Sequence, residues 1–147
     1  MAPQPVVSVT SPDHPDACII HTDAAWCPIR KVVGLGWTFS FENTTLSFSR
    51  PHSWAKNPLV AKGLALRAAL FQAAEDNIRN ISVKSDSFQL IEAINTGSGN
   101  IDLHGILGHI DFLSRSFSSI SFSFISRKLN CTADSLAKSS LCNSPSI

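Results

Sequence analysis

Charge is scarce in this chain of 147 residues: 16% are Asp, Glu, Lys or Arg, and the net charge is +1. No strong overall field exists, so a nucleic-acid partner would have to be met by a local basic patch. Cys18, Cys27, Cys131 and Cys142 form no C-x-x-C pair. That argues against a zinc ribbon or a thioredoxin-type motif and fits a reducing compartment. No apolar run is long enough to span a bilayer, so no membrane partner is expected. Residues 1–16 carry four prolines but neither a basic n-region nor a long apolar h-region, which speaks against a secretory signal. No internal repeat is visible. The expectation is an intracellular protein, in cytoplasm or nucleus, with a flexible Pro-rich lead at 1–16, one domain at 17–142 and a tail at 143–147.

What is present suits a packed domain. Hydrophobic residues make up 44% of the chain, enough for a sizeable core. Ala17 to Trp26 begins as an apolar run, which predicts a central strand buried on both faces, with Asp23 where it runs out. Cys18 is expected to be a small core residue. Val33, Leu35, Trp37, Phe39 and Phe41 alternate with Gly34, Gly36, Thr38 and Ser40, predicting a strand with one apolar face. On the other face the two glycines leave room for something to approach the backbone. Leu46 and Phe48 continue the alternation in a third strand, and Arg50 to Lys56 reads as a loop.

Asn57-Pro58 is a helix start, followed by an apolar stripe of Leu59, Gly63, Leu66, Leu70 and Ala73 up to about Asp76. Ile81 and Val83 mark a strand ending at Ser85-Asp86-Ser87, and Phe88 to Asn95 a short helix closed by Thr96-Gly97. Asp102 reads as the cap of a third helix. Ile120, Phe122 and Phe124 mark a half-buried strand, Arg127 to Asn130 a loop, and Ala133 to Leu141 a last helix capped by Asn130. The alternation of strands and helices is that of an α/β layer structure.

Three carboxylates share one context. Asp23 and Asp86 follow strands, and Asp134 lies in the first turn of the last helix. In an open α/β sheet, ligands gather at such strand ends and helix N-termini. Singly, each aspartate also has a local explanation. Asp86 could cap a helix, Asp134 could complement a helix dipole, and Asp23 could hydrogen-bond its own loop. Pattern alone leaves a hard-cation site and these local roles both open.

Asp23-Ala24-Ala25-Trp26, Gly34-Leu35-Gly36-Trp37, Pro58-Leu59-Val60-Ala61 leading into Leu64 to Leu70, Ser85-Asp86-Ser87, and Arg127 to Lys138 together resemble the ribonuclease H type 1 family. More narrowly they resemble the retroelement-derived, reverse transcriptase-like domains of plant genomes. The resemblance covers Cys18 to Leu141. It implies a ribonuclease H-like fold, a three-layer α/β/α arrangement with a five-stranded mixed sheet whose strands 1–3 are antiparallel. It also implies metal-dependent hydrolysis of the RNA strand of an RNA–DNA hybrid by two Mg2+ (or Mn2+) ions held among four carboxylates, an endonuclease chemistry in which two metals steady the attacking and leaving oxygens. Asp23, Asp86 and Asp134 match three of the four.

The fourth position departs. Where the family places a glutamate after the alanine that matches Ala61, this chain has Lys62. Glu to Lys changes the cluster by two charges, each charge pair being worth ~4 kcal/mol at about 4 Å and an effective dielectric near 20. Metal occupancy is therefore in doubt, and Lys62 is expected either to pair with Asp23 or Asp86 or to reach solvent and leave them free. Arg30, Lys31, Arg127, Lys128 and Asn130 are candidate nucleic-acid contacts. Trp26 and Trp54 are candidate stacking residues, whereas Trp37 is assigned to the core. His104 and His109 read as surface residues. The leading expectation is a nucleic-acid-binding domain with impaired catalysis. The alternatives are an active hybrid ribonuclease working with three aspartates, and an interaction module that binds no nucleic acid.

Overall fold

The computed structural model describes residues 16–142. The expected lead, except Asp16, and the tail lie outside them. The strands are β1 (Cys18–Trp26), β2 (Val33–Phe41), β3 (Thr44–His52), β4 (Asn80–Ser85) and β5 (Ser119–Phe124). The helices are α1 (Pro58–Glu75), α2 (Phe88–Thr96), α3 (His104–Ser114) and α4 (Cys131–Cys142). Five strands form one sheet in the order β3-β2-β1-β4-β5. β1–β2 and β2–β3 are antiparallel, while β1–β4 and β4–β5 are parallel. β1 is the central strand, as its apolar start implies.

The period-2 pattern decides which layer lies on which face. Val33, Leu35, Trp37 and Phe39 are buried together with Ile20, Val83 and Phe122. Each such fully buried side chain contributes roughly 2–3 kcal/mol. α1 packs on this face, and Trp37 Nε1 donates to Gln72 Oε1 on it. The opposite face carries Gly34 and Gly36, and α4 lies directly on them. A Cβ on Gly34 would collide with the Ala137 carbonyl, and one on Gly36 would come within 2.6 Å of Ala133 O and Ala137 N. The backbone approach expected at these glycines is thus made by a helix of the same chain.

Several elements differ from expectation. β1 continues through Asp23 to Trp26 because its antiparallel register with β2 runs on from Asp23↔Gly36 to Trp26↔Val33. β3 likewise extends to His52, pairing Arg50, Pro51 and His52 with Leu35, Gly34 and Val33. Pro51 is tolerated there because β3 is an edge strand. α1 is buried nearly all round, at Val60, Ala61, Leu64, Ala65, Ala68 and Ala69 as well as along the expected stripe. It is sandwiched between the sheet and α3, so small alanines on its flanks are core residues. Ser87, not Asp86, caps α2, its hydroxyl accepting from Leu90 N at 3.2 Å. Asp102 caps nothing: it sits in a 3-10 turn capped by Asn100. Arg127–Leu129 is a 3-10 turn rather than an open loop. Among the described residues no helix is long and apolar enough to cross a membrane.

Candidate active site

Asp23 is the first β1 residue past the end of the β1–β4 ladder, whose last pair is Thr22↔Ser85. β1 therefore keeps a partner on the β2 side only, and the two parallel strands part. Asp86 follows β4 immediately on the other side of the parting. Chain geometry alone thus places the two aspartates at the same end of the sheet. Both are deeply buried: the side chain of Asp23 is 4% exposed and that of Asp86 is 1% exposed. Two carboxylates cannot stay ionised in such a place without a cation.

The cation is Lys62. It stands in the first turns of α1, and its Nζ lies 2.9 Å from Asp86 Oδ1 and 3.5 Å from Asp23 Oδ1. Of the two outcomes the sequence left open for Lys62, the structure takes the paired one. The helix start that aims Lys62 is locked from two sides. Asn57 Oδ1 accepts from Val60 N at 2.9 Å, capping α1, while Asn57 Nδ2 donates to Asp102 Oδ2 at 3.2 Å. Asp102 also pairs with Lys56 at 2.9 Å. Asp102 is thus a positioning residue that sequence reading missed. Its partners are 45 and 46 residues away, and no local pattern reports such a contact.

Burial pushes the Asp23 carboxyl up, from an ordinary 3.8 to about 6. Lys62 opposes the rise, as does the Ala24 N–H, which donates to Asp23 Oδ1 at 2.8 Å. The negative charges of Asp86 and Asp134 add to it. Desolvation is the largest cause, so the single ammonium only partly offsets the cost of burying this charge. Asp86 Oδ2 is buried with no hydrogen-bond partner, and the nearest cation on that side is Arg127, whose Nε is 3.9 Å away.

Asp134 sits differently. It lies in the first turn of α4, close enough for its charge to act on Asp23. Its carboxylate is one-third exposed and pairs with Lys138 one turn on, at 3.0 Å. Asn130 was expected both to cap α4 and to contact nucleic acid. It is 1% exposed, and its Nδ2 donates to the Thr22 carbonyl at 2.9 Å. Its Oδ1 has no partner, so the side chain does not cap the helix. Its place is structural: it ties the start of α4 to β1 one residue before Asp23.

Among the basic candidates, Arg127 and Lys128 stand exposed on the 3-10 turn beside Asp86. Arg30 and Lys31 lie between β1 and β2, with Lys31 Nζ over the Trp26 ring at 5.1 Å. Trp26 Nε1 donates to Ala55 O, Trp54 is more than half exposed, and Trp37 is core. His104 and His109 are exposed on α3.

Ribonucleases H use divalent metal, and the donor set here does not fit the paired metals that the family resemblance implies. Two of the three matching carboxylates already face an ammonium, the third faces Lys138, and a lysine nitrogen in its charged form offers no lone pair. Among the described residues no group of three His, Cys, Asp or Glu side chains is arranged to hold a metal ion.

Residues 22–140 match the family described as reverse transcriptase-like. No curated protein matches. The fold is similar to ribonuclease H1 from the halophilic archaeon Halobacterium salinarum, with a TM-score of 0.80 and 22% identity over 87% of this chain and 99% of that one. It is also similar to the N-terminal RNase H domain of a Mycobacterium tuberculosis protein, with a TM-score of 0.76 and 22% identity over 86% and 94% of the two chains. A third similar structure is LC11-RNase H1, isolated from compost by a metagenomic approach. It was solved in complex with an RNA/DNA hybrid and gives a TM-score of 0.76 and 21% identity over 85% and 96% of the chains. With a family match over most of its length, the chain belongs to the reverse transcriptase-like family, and its five-stranded mixed sheet has the fold of the ribonuclease H1 structures.

Proposed function

We propose that this domain binds RNA–DNA hybrid or a related duplex, and that hydrolysis at its carboxylate site is suppressed by Lys62. The observation that carries the reading is the double ion pair of Lys62 with Asp86 and Asp23, at 2.9 and 3.5 Å. A tethered ammonium in that place partly offsets the charge of the two buried carboxylates without a metal. It supplies neither a Lewis acid nor a bound hydroxide, which are what phosphodiester hydrolysis draws from metals. Binding has separate support. Arg127 and Lys128 are exposed beside the site, cations of this kind hold phosphates without reading sequence, and a structural neighbour was solved on an RNA/DNA hybrid. On this reading Asp23, Asp86 and Asp134 are the remnant of the catalytic set, and the retroelement origin accounts for the family match.

The test is cleavage of an RNA–DNA hybrid in magnesium or manganese, wild type beside Lys62→Glu. If metal stabilises the transition state by ~4 kcal/mol, the wild type should run about a thousandfold slower than Lys62→Glu. A second readout accompanies it: magnesium should raise the melting temperature of Lys62→Glu and leave that of the wild type unchanged. Vigorous wild-type cleavage that Asp23→Asn abolishes would sink the suppressed reading and leave an active enzyme with three aspartates. Failure to bind any hybrid would leave a protein-interaction module.

A further inference from the structure

Two aromatic rings border the site, and neither belongs to the core. Phe88 opens α2, two residues after Asp86, and is 59% exposed; Phe124 closes β5 and is 46% exposed. Their ring centroids are 5.6 Å apart with the planes at 87°, an edge-to-face pair. The backbone holds both. Phe124 is registered against Ser85, the residue before Asp86. Ile125 N donates to Ser85 O at 2.9 Å, and the Ser87 cap fixes the first turn of α2. The two rings pack edge-to-face on each other, and about half of each stays in water.

The surroundings indicate what the rings fit. Arg127, with its side chain 83% exposed, reaches Asp86 from the turn that follows β5, and Lys128 stands exposed next to it. Aromatic faces beside guanidinium and ammonium groups are what single-stranded nucleic acid uses, with rings for the bases and cations for the phosphates. Two half-exposed rings are far too small for a stable protein interface, which needs about 800 Å² per partner, but the face of one ring, buttressed edge-on by the other, matches the flat face of one base. In a continuous duplex each base face is covered by its neighbours, so only an unpaired or splayed nucleotide can use the rings.

We propose that the Phe88–Phe124 pair is a stacking platform for one unpaired nucleobase, so that the domain prefers a hybrid with a single-stranded extension beside the carboxylate site to a blunt one. The proposal rests on the nucleic-acid reading above and adds the structural class of substrate. Phe rings are stiff and held in place before binding, so little conformational entropy is lost on stacking.

The experiment compares affinities, by fluorescence anisotropy, for a blunt RNA–DNA hybrid, the same hybrid with a four-nucleotide extension at each end and strand in turn, and the same extensions made abasic. At least one extension with bases should bind about tenfold more tightly than the blunt hybrid. Its abasic counterpart should show little of that gain, and the gain should persist at salt concentrations that weaken blunt binding. Phe88→Ala and Phe124→Ala should bring the extended-to-blunt ratio towards one, with Phe88→Trp retaining it; circular dichroism checks that each variant folds. Equal affinity for blunt and extended hybrids, a gain kept by the abasic extension, or a gain surviving both alanine variants overturns the platform while hybrid binding stands. If no hybrid binds in any form, the nucleic-acid reading itself falls and the platform with it.

Discussion

The site has a buried half and an exposed half, and they hold their charges by different means. Asp23 and Asp86 are enclosed at the parting of β1 and β4, and the cation between them comes from α1, on the apolar side of the sheet. Asp134 belongs to α4, on the glycine side, and pairs with a lysine of its own helix near water. In the first half the charges depend on one another, because neither carboxylate has bulk water to fall back on. In the second the pair adds little, since both partners are solvated whether or not they meet. A substitution in the buried half therefore changes which charges the protein can keep. One in the exposed half changes its surface and reaches the buried half only through the weak field of Asp134 on Asp23.

The largest effect should follow from cutting the buried half. Lys62→Met keeps the length and apolar stem of the side chain and removes the ammonium, leaving two buried carboxylates facing each other. Removing one partner of a buried ion pair costs about 3–5 kcal/mol, and urea denaturation at pH 7 measures it. Lowering the pH to 5 should restore part of the loss, because a protonated Asp23 no longer needs a cation. A loss below about 1 kcal/mol would place the two halves on one footing and break the comparison.

The next effect tests how independent the halves are. Gly36→Ala puts a methyl group against the backbone of α4 and should force that helix outward at a cost of about 3 kcal/mol, at the upper end of overpacking penalties. Asp134 would move with α4, while the Lys62 ion pairs, anchored from α1, would stay. Carboxylate NMR titration of Asp23 reports both. Its pKa should fall slightly as the Asp134 charge recedes, since that charge raises it, and it should not rise as it would without Lys62.

A pH slope sharpens the same contrast. The Asp23 carboxyl titrates at about 6 in the folded chain against an ordinary 3.8. Between those values the folded protein keeps a proton that the unfolded chain has released. Its contribution to stability is therefore present below about pH 4 and is lost as the pH rises to about 6, by an amount on the order of 3 kcal/mol. Asp23→Asn should remove that part of the slope. A stability profile across pH 4 to 6 that is the same in wild type and variant would mean that burial does not govern Asp23.

The legible parts of this molecule are those where chemistry acts over a few residues. The alternation in β2, the Asn57-Pro58 start of α1 and the Gly97 stop of α2 all follow from local rules, and the observed elements agree. The two glycines of β2 announced a close approach, though not that α4 makes it. Lys62 could be placed near the site from its position on α1, because helix geometry carries that far. Legibility stops where the partner is remote. β1 runs past Asp23 because β2 pairs with it there. Asp102 serves Asn57 rather than its own helix. Asn130, with the residue type of a cap, turns its amide to Thr22, 108 residues away. Phe124 sits on the apolar phase of its strand and still faces water, because β5 is an edge strand and the phase says which face a residue takes, not whether anything covers it.

The smallest expected effect completes the contrast. Lys138→Ala removes the partner of Asp134 in an exposed i, i+4 pair, and such pairs contribute about 0.3–0.5 kcal/mol. This pair has the acidic residue N-terminal to the basic one, the favourable order, and Asp134 in the first turn already interacts with the helix dipole. Stability should therefore drop by no more than about 0.5 kcal/mol, and the loss should shrink further in 0.5 M salt, where charges more than a few ångströms apart are screened. A loss comparable to that of Lys62→Met would mean that Asp134 is held as tightly as the buried pair. The site would then be one coupled cluster of three aspartates and two lysines, not a buried core with a solvated neighbour.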